Sequence, residues 1–154
     1  MSPLSFETVP VSDLIARGII RGVDDPRPVV LVVDDEQVIT DTLVAILRNN
    51  GFVAFPAYDG ESALALAQEI RPQLLISDVV MPRMSGVDLA IEVSGLLPDC
   101  RVLLFSGTAS SADLLESAHR LGHRFTVLTK PVHPSDLLAH ISELGVQSTT
   151  QEIA

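Results

Sequence analysis

Five short aliphatic runs recur along this chain, each followed by a stretch with apolar residues at helical spacing, and this alternation sets the fold. The runs are Val29 to Val33, Val53 to Ala57, Leu74 to Ser77, Arg101 to Phe105 and Phe125 to Thr129. Each is four or five residues long and rich in Val, Leu and Ile, as strands covered on both faces are. The stretches between and after them predict helices over Glu36 to Asn50, Glu61 to Ile70, Val87 to Leu97, Ala112 to Leu121 and Ser135 to Leu144. Gly51, Pro72 and Pro98 punctuate the ends of the first three, and Pro134 opens the last. Five strand-then-helix units imply an α/β fold, a parallel sheet with helices on both faces. With 154 residues, 47% of them hydrophobic, the chain can bury one good-sized core.

In sheets of this kind a site forms outside the carboxyl ends of the strands. Those ends carry Asp34 and Asp35, Asp78, Ser106 and Lys130. Each has an ordinary structural explanation by itself. Asp34-Asp35 could cap a helix, Asp78 could be a turn residue before Met81-Pro82, Ser106-Gly107 a loop, and Lys130-Pro131 a strand stopped by proline. Their joint arrival at successive strand ends is what points to chemistry. Three aspartates at adjoining ends repel one another by several kcal/mol at ~4 Å and an effective dielectric near 20. A cation offsets that cost, and hard oxygen donors suit magnesium, which keeps several waters and accepts phosphate oxygens. A carboxylate can attack phosphorus to form an aspartyl phosphate, and a lysine beside it would offset the transferred charge.

The segments VVLVVDDE, LLISDVVMPRMSGVDLA, VLLFSG and VLTKPV resemble the hallmark segments of bacterial response regulator receiver domains, over about Val29 to Leu144. The resemblance implies a flavodoxin-like, doubly wound five-stranded parallel sheet of order 2-1-3-4-5 with five helices. It implies a phosphoacceptor role in two-component, phosphorelay signal transduction, with Asp78 as the acceptor and phosphorylation switching protein–protein interactions. Asp35 then matches the direct Mg2+ ligand, Asp34 the partner that binds metal mainly through water, and the Val80 backbone carbonyl the third protein ligand. Ser106 stands where a hydroxyl bonds the phosphoryl group, Lys130 where a lysine contacts it, and Lys130-Pro131 where a cis peptide is usual. The implied partners are a sensor histidine kinase or histidine phosphotransfer protein as donor and a downstream protein target. Such a domain catalyses only its own phosphorylation and dephosphorylation.

Two departures concern output. Receivers usually place Tyr or Phe three residues before the lysine, where this chain has Val127, and the stretch from Gly122 to Lys130 is one residue longer than usual. Phe125 shares the strand face of Val127 but lies ~6.6 Å farther from the site at ~3.3 Å rise per residue. The switch is therefore expected in Ser106 to Ser111 and the start of the fourth helix. Val80 and Thr108, each two residues after a site residue, occupy positions that influence access of water to the phosphoryl group in receivers.

Other functions fare less well. An aspartyl-nucleophile phosphohydrolase needs a second acid two residues after its nucleophile, and Val80 is there. A pseudo-receiver acting by protein contact alone has no need of the full set of site residues. A net charge of −10 with no basic stripe repels DNA, which argues against direct nucleic-acid binding. The lone Cys100 reads as a small residue starting a strand, and His119, His123, His133 and His140 as helix or loop residues. The first residues lack the basic start and apolar core of a signal peptide, and no run approaches a membrane span, so the chain is expected in the cytoplasm without membrane contact; the sequence leaves the oligomeric state, monomer or weak dimer, open. Residues 1–28 read as an extension with a short helix carrying Leu14, Ile15, Ile19 and Ile20, residues 29–145 as the receiver domain, and 146–154 as a flexible tail. No output domain is expected after Leu144, and the signal is then expected to leave by protein contact or phosphotransfer.

Overall fold

The computed structural model describes residues 25–107 and 110–147. The expected helix around Leu14 to Ile20, Thr108 and the end of the expected tail lie outside them. The described chain alternates β1 (Val29–Val33), α1 (Gln37–Arg48), β2 (Val53–Ala57), α2 (Gly60–Ile70), β3 (Leu74–Asp78), α3 (Gly86–Leu96), β4 (Arg101–Ser106), α4 (Ser110–Arg120), β5 (Thr126–Thr129) and α5 (Pro134–Glu143). All pairings are parallel, in one sheet of order β2-β1-β3-β4-β5. That is the expected architecture.

Strand alternation explains the layers. Successive side chains point to opposite faces, and every residue of β1 is buried. Val29, Leu31 and Val33 join one core cluster with Leu75 and Leu104, while Val30 and Val32 join another with Leu74, Ile76, Leu103 and Phe105. Ala63, Ala67, Leu89, Ala90 and Val93 of α2 and α3 cover the first face. Val44, Leu47, Leu137 and Ile141 of α1 and α5 cover the second. A sheet apolar on both faces can be stable only in this sandwiched form.

Local signals set the helix ends. The Asp59 carboxylate accepts from Ser62 N–H at 2.7 Å to start α2, and that bond holds the carboxyl below its ordinary range. Ser85 accepts from Asp88 N–H at 3.1 Å to start α3, and Pro134 occupies the first turn of α5. Arg71, left-handed at φ 46°, closes α2 just before Pro72. Strand five starts at Thr126, one residue later than the sequence implies. Phe125 stacks on His123 (centroids 6.0 Å apart, planes 11° apart) and packs against the first cluster beside Val127. Helix α4 starts at Ser110, two residues earlier than expected. Cys100 is buried, and burial pushes its thiol up to about 11, which suppresses thiolate reactivity.

Candidate functional site

Asp78 and Ser106 are the last residues of their strands, so the sheet itself fixes their backbones. Asp78 pairs with Phe105 and Ser106 with Thr129. Val79 N–H donates to the Phe105 carbonyl at 2.9 Å, and Lys130 N–H donates to the Ser106 carbonyl at 2.9 Å. The ladder thus runs one residue past each site position. Asp34 is tied to β2, its N–H donating to the Ala57 carbonyl at 3.3 Å. The Lys130-Pro131 bond is cis.

The two adjacent aspartates differ sharply. Asp34 is buried at 2% exposure, its Oδ1 accepting from Glu36 N–H at 2.9 Å, whereas Asp35 is exposed. Neither caps α1: its N-cap is Glu36, without a side-chain bond. Thr40, fully buried, donates to the Asp34 carbonyl at 2.7 Å and fastens α1 to the end of β1. One carboxylate oxygen from each of Asp34, Asp35 and Asp78 lies within 4.8 Å of the others. Lys130 bridges two of them, its Nζ standing 3.2 Å from Asp34 Oδ2 and 3.3 Å from Asp78 Oδ2.

Burial drives the electrostatics. It pushes the Asp78 carboxyl above its ordinary value; Lys130 opposes this, but Asp34 and Asp35 reinforce it. Burial alone would lower the Lys130 ammonium, yet Asp34 and Asp78 outweigh it and hold that group above its usual value. Three carboxylates facing one ammonium leave an excess of negative charge, and hard oxygen donors gathered this closely could hold a divalent cation.

Ser106 stands apart from this group in its hydrogen bonding. Its hydroxyl pairs with that of Ser111 in the first turn of α4, and Ser111 is 1% exposed. Gly107 lies against the Lys130 stem, since a Cβ there would stand 3.2 Å from Lys130 Cδ. Val80, two residues after Asp78, is exposed, and Val127 is half-buried and packs against the first core cluster. Two residues that periodicity does not single out also shape the site, Gly86 and Ser111. A Cβ on Gly86 would stand 1.8 Å from the Asp78 carbonyl oxygen, and Gly86 N–H donates to Val79 O at 2.8 Å. The pair Ser85-Gly86 ahead of a helical stretch is the one sequence signal of that contact.

A family model described as the response regulator receiver domain matches residues 30–142. The chain belongs to this family. Its receiver domain is the signalling module of two-component systems. Transcriptional regulatory protein PdtaR of Mycobacterium tuberculosis is 38% identical over 120 residues, 76% of this chain and 56% of that protein. Probable transcriptional regulatory protein TcrX, also of M. tuberculosis, is 33% identical over 121 residues, 78% of this chain and 51% of that protein. The chain thus spans about half the length of these curated relatives. Among solved structures, chemotaxis protein CheY4 of Vibrio cholerae superposes with a TM-score of 0.69 at 28% identity, over 77% of this chain and 98% of that one. A receiver domain protein of Clostridium thermocellum gives 0.68 at 28% identity, over 76% and 93%. Among the described residues, no helix is long and apolar enough to cross a membrane.

Proposed function

We propose that Asp78 accepts a phosphoryl group from a phosphohistidine protein, a sensor histidine kinase or a histidine phosphotransfer protein, and that the product switches binding of a downstream protein. The observation that supports this best is the Lys130 ammonium within 3.3 Å of both Asp34 and Asp78, at the rim of three clustered carboxylates. An Asp78 oxygen attacks phosphorus, the bond from phosphorus to the donor nitrogen breaks, and the imidazole leaves with a proton from solvent. Lys130 offsets charge on the transferred group, and the Ser106 hydroxyl can donate to one of its oxygens. Asp34, Asp35, Asp78 and the Val80 carbonyl would hold Mg2+, which when bound neutralises phosphoryl charge. Val80 supplies no second acid of the kind an aspartyl phosphohydrolase uses, so the aspartyl phosphate should persist.

A donor protein must press against the surface around Asp78, where exposed Asp35 and Glu36 stand among exposed apolar side chains. Val38 on the first turn of α1 is 79% exposed and Val80 41%. A groove of about 430 Å3 that reaches Lys130 is lined by Ile39, Leu43, Phe105, Lys130, Pro131 and Val132.

Intact mass after incubation with Mg2+ and acetyl phosphate tests the reading. One added phosphoryl group supports it, and an unchanged mass overturns it. Lifetime gives a second prediction. An apolar Val80 cannot orient an attacking water, so Val80→Asn is expected to raise the dephosphorylation rate about fivefold, the worth of one hydrogen bond of about 1 kcal/mol. Decay of the labelled protein, followed by mass, measures this; equal rates would count against it.

A further inference from the structure

We propose that Ser111 is a positioning residue, holding the Ser106 hydroxyl on the first turn of α4 until a phosphoryl group on Asp78 draws that hydroxyl away. This rests on the reading of Asp78 as phosphoacceptor. The Ser106 backbone is fixed in the ladder, its carbonyl accepting from Lys130 N–H and its position paired with Thr129. A change of state at Ser106 is therefore a change of side-chain rotamer, and such a side chain has three staggered choices. The one occupied here points the hydroxyl at Ser111. Ser111 is 1% exposed and Ser106 half-buried, so water has little access to the Ser111 end of that bond.

Charge decides the competition. A phosphoryl group brings nearly two negative charges and strong acceptor oxygens. Hydrogen bonds to charged acceptors are roughly twice as strong as those between neutral groups. The phosphoryl group wins the Ser106 hydroxyl, and Ser111 loses this partner. The helix that carries Ser111 is poorly anchored: of its described side chains only Ser111 and Ala118 are buried, with Leu114 and Leu115 half-buried. Helices with few buried contacts are the ones that open or shift locally. Val127 offers no ring to follow Ser106, so the first turn of α4 is the element that responds.

The test is a double-mutant cycle on the full chain, read as affinity for beryllium fluoride, a phosphoryl mimic, in the presence of Mg2+. Ser111→Ala removes the competing partner and should tighten binding about three- to tenfold, the worth of one neutral hydrogen bond. In the Ser106→Ala background the same substitution should change affinity by less than about twofold, because no hydroxyl remains to be held. Ser111→Cys, close in volume and a weak hydrogen-bonding group, should move affinity the same way and replaces Ser111→Ala should that variant not fold. Unchanged or weaker binding by both variants, or an equal gain in the Ser106→Ala background, would overturn the role of Ser111. Failure of the parent chain to bind beryllium fluoride, with no acetyl phosphate labelling, would instead overturn the phosphoacceptor reading beneath it.

Discussion

Asp78→Asn is expected to abolish phosphoryl labelling altogether while leaving the fold at least as stable as before. The amide keeps the shape of the carboxylate but is not a nucleophile toward phosphorus, and no other carboxylate shares its place at the end of β3. Stability should move the other way. Burial, Asp34 and Asp35 together outweigh Lys130 and raise the Asp78 pKa. An acid whose pKa is raised by folding binds its proton more tightly when folded. Its stabilising contribution is whole below the unfolded value of about 4 and is lost as pH rises through the folded value. At neutral pH without divalent cation the native carboxylate therefore costs stability that Asn does not. Thermal melts from pH 3 to 7 should show the variant's advantage growing with pH and closing toward pH 3. Labelling of Asp78→Asn to the level of the parent chain would remove Asp78 as the acceptor. Asp35→Ala should weaken Mg2+ binding without loss of the fold, because Asp35 is exposed and caps nothing.

The parallel sheet was legible because buried strands advertise themselves, whereas its order was implied by the resemblance to receiver domains. Runs such as Val29 to Val33 and Leu74 to Ile76 are apolar on both faces, and only a covered parallel sheet accommodates them. The convergence of Asp34, Asp78, Ser106 and Lys130 followed from topology alone, since parallel strands bring their carboxyl ends to one edge. What topology does not carry is the division of labour within the edge. Asp34 and Asp35 are neighbours in sequence, yet one is buried beside Lys130 and the other faces solvent. That difference arises just past the end of β1, where Asp34 is still tied to β2 through its N–H and Glu36 N–H claims one of its oxygens, while Asp35 lies in the bend before α1.

Contacts made through rotamers and close backbone approach leave fainter traces. Ser110-Ser111 reads as polar helix-start sequence, and nothing in its spacing shows that the Ser111 hydroxyl meets Ser106. Phe125 has the composition of a strand residue but is drawn out of the ladder by stacking on His123. The histidines otherwise sit as their sequence context suggests, His119 on α4, His140 on α5, and His133 as the N-cap of α5. Charge and burial at the site oppose stability, as the raised Asp78 shows. The scaffold tolerates this because the ladder continues past Asp78 and Ser106 on backbone bonds that no side chain has to supply.

That dependence on backbone makes Gly86, the most tightly packed of the described glycines, a sensitive position, and Gly86→Ala is expected to destabilise the domain strongly. The added methyl would stand 1.8 Å from the Asp78 carbonyl oxygen and 2.8 Å from Ser77 Oγ. Backbone oxygen cannot rotate away as a flexible side chain can, so either α3 or the end of β3 must shift by more than an ångström. The first breaks the bond from Gly86 N–H to Val79 O; the second moves Asp78 off its rung beside Phe105. Overpacking costs at this upper end run to about 3 kcal/mol, which lowers the Tm of a domain this size by about 10 °C. Gly95 on the same helix gives the contrast, for a methyl there meets nothing within 4 Å. Gly95→Ala should stabilise by about 0.5–1 kcal/mol through helix propensity alone. Thermal melts of the two variants against the parent chain check the pair. Acetyl phosphate labelling of whatever fraction of Gly86→Ala stays folded should also fall, because the displaced strand end carries Asp78, the proposed nucleophile. A Gly86→Ala protein that melts with the parent chain and labels at its rate would show that the Asp78 carbonyl is not where α3 and β3 meet.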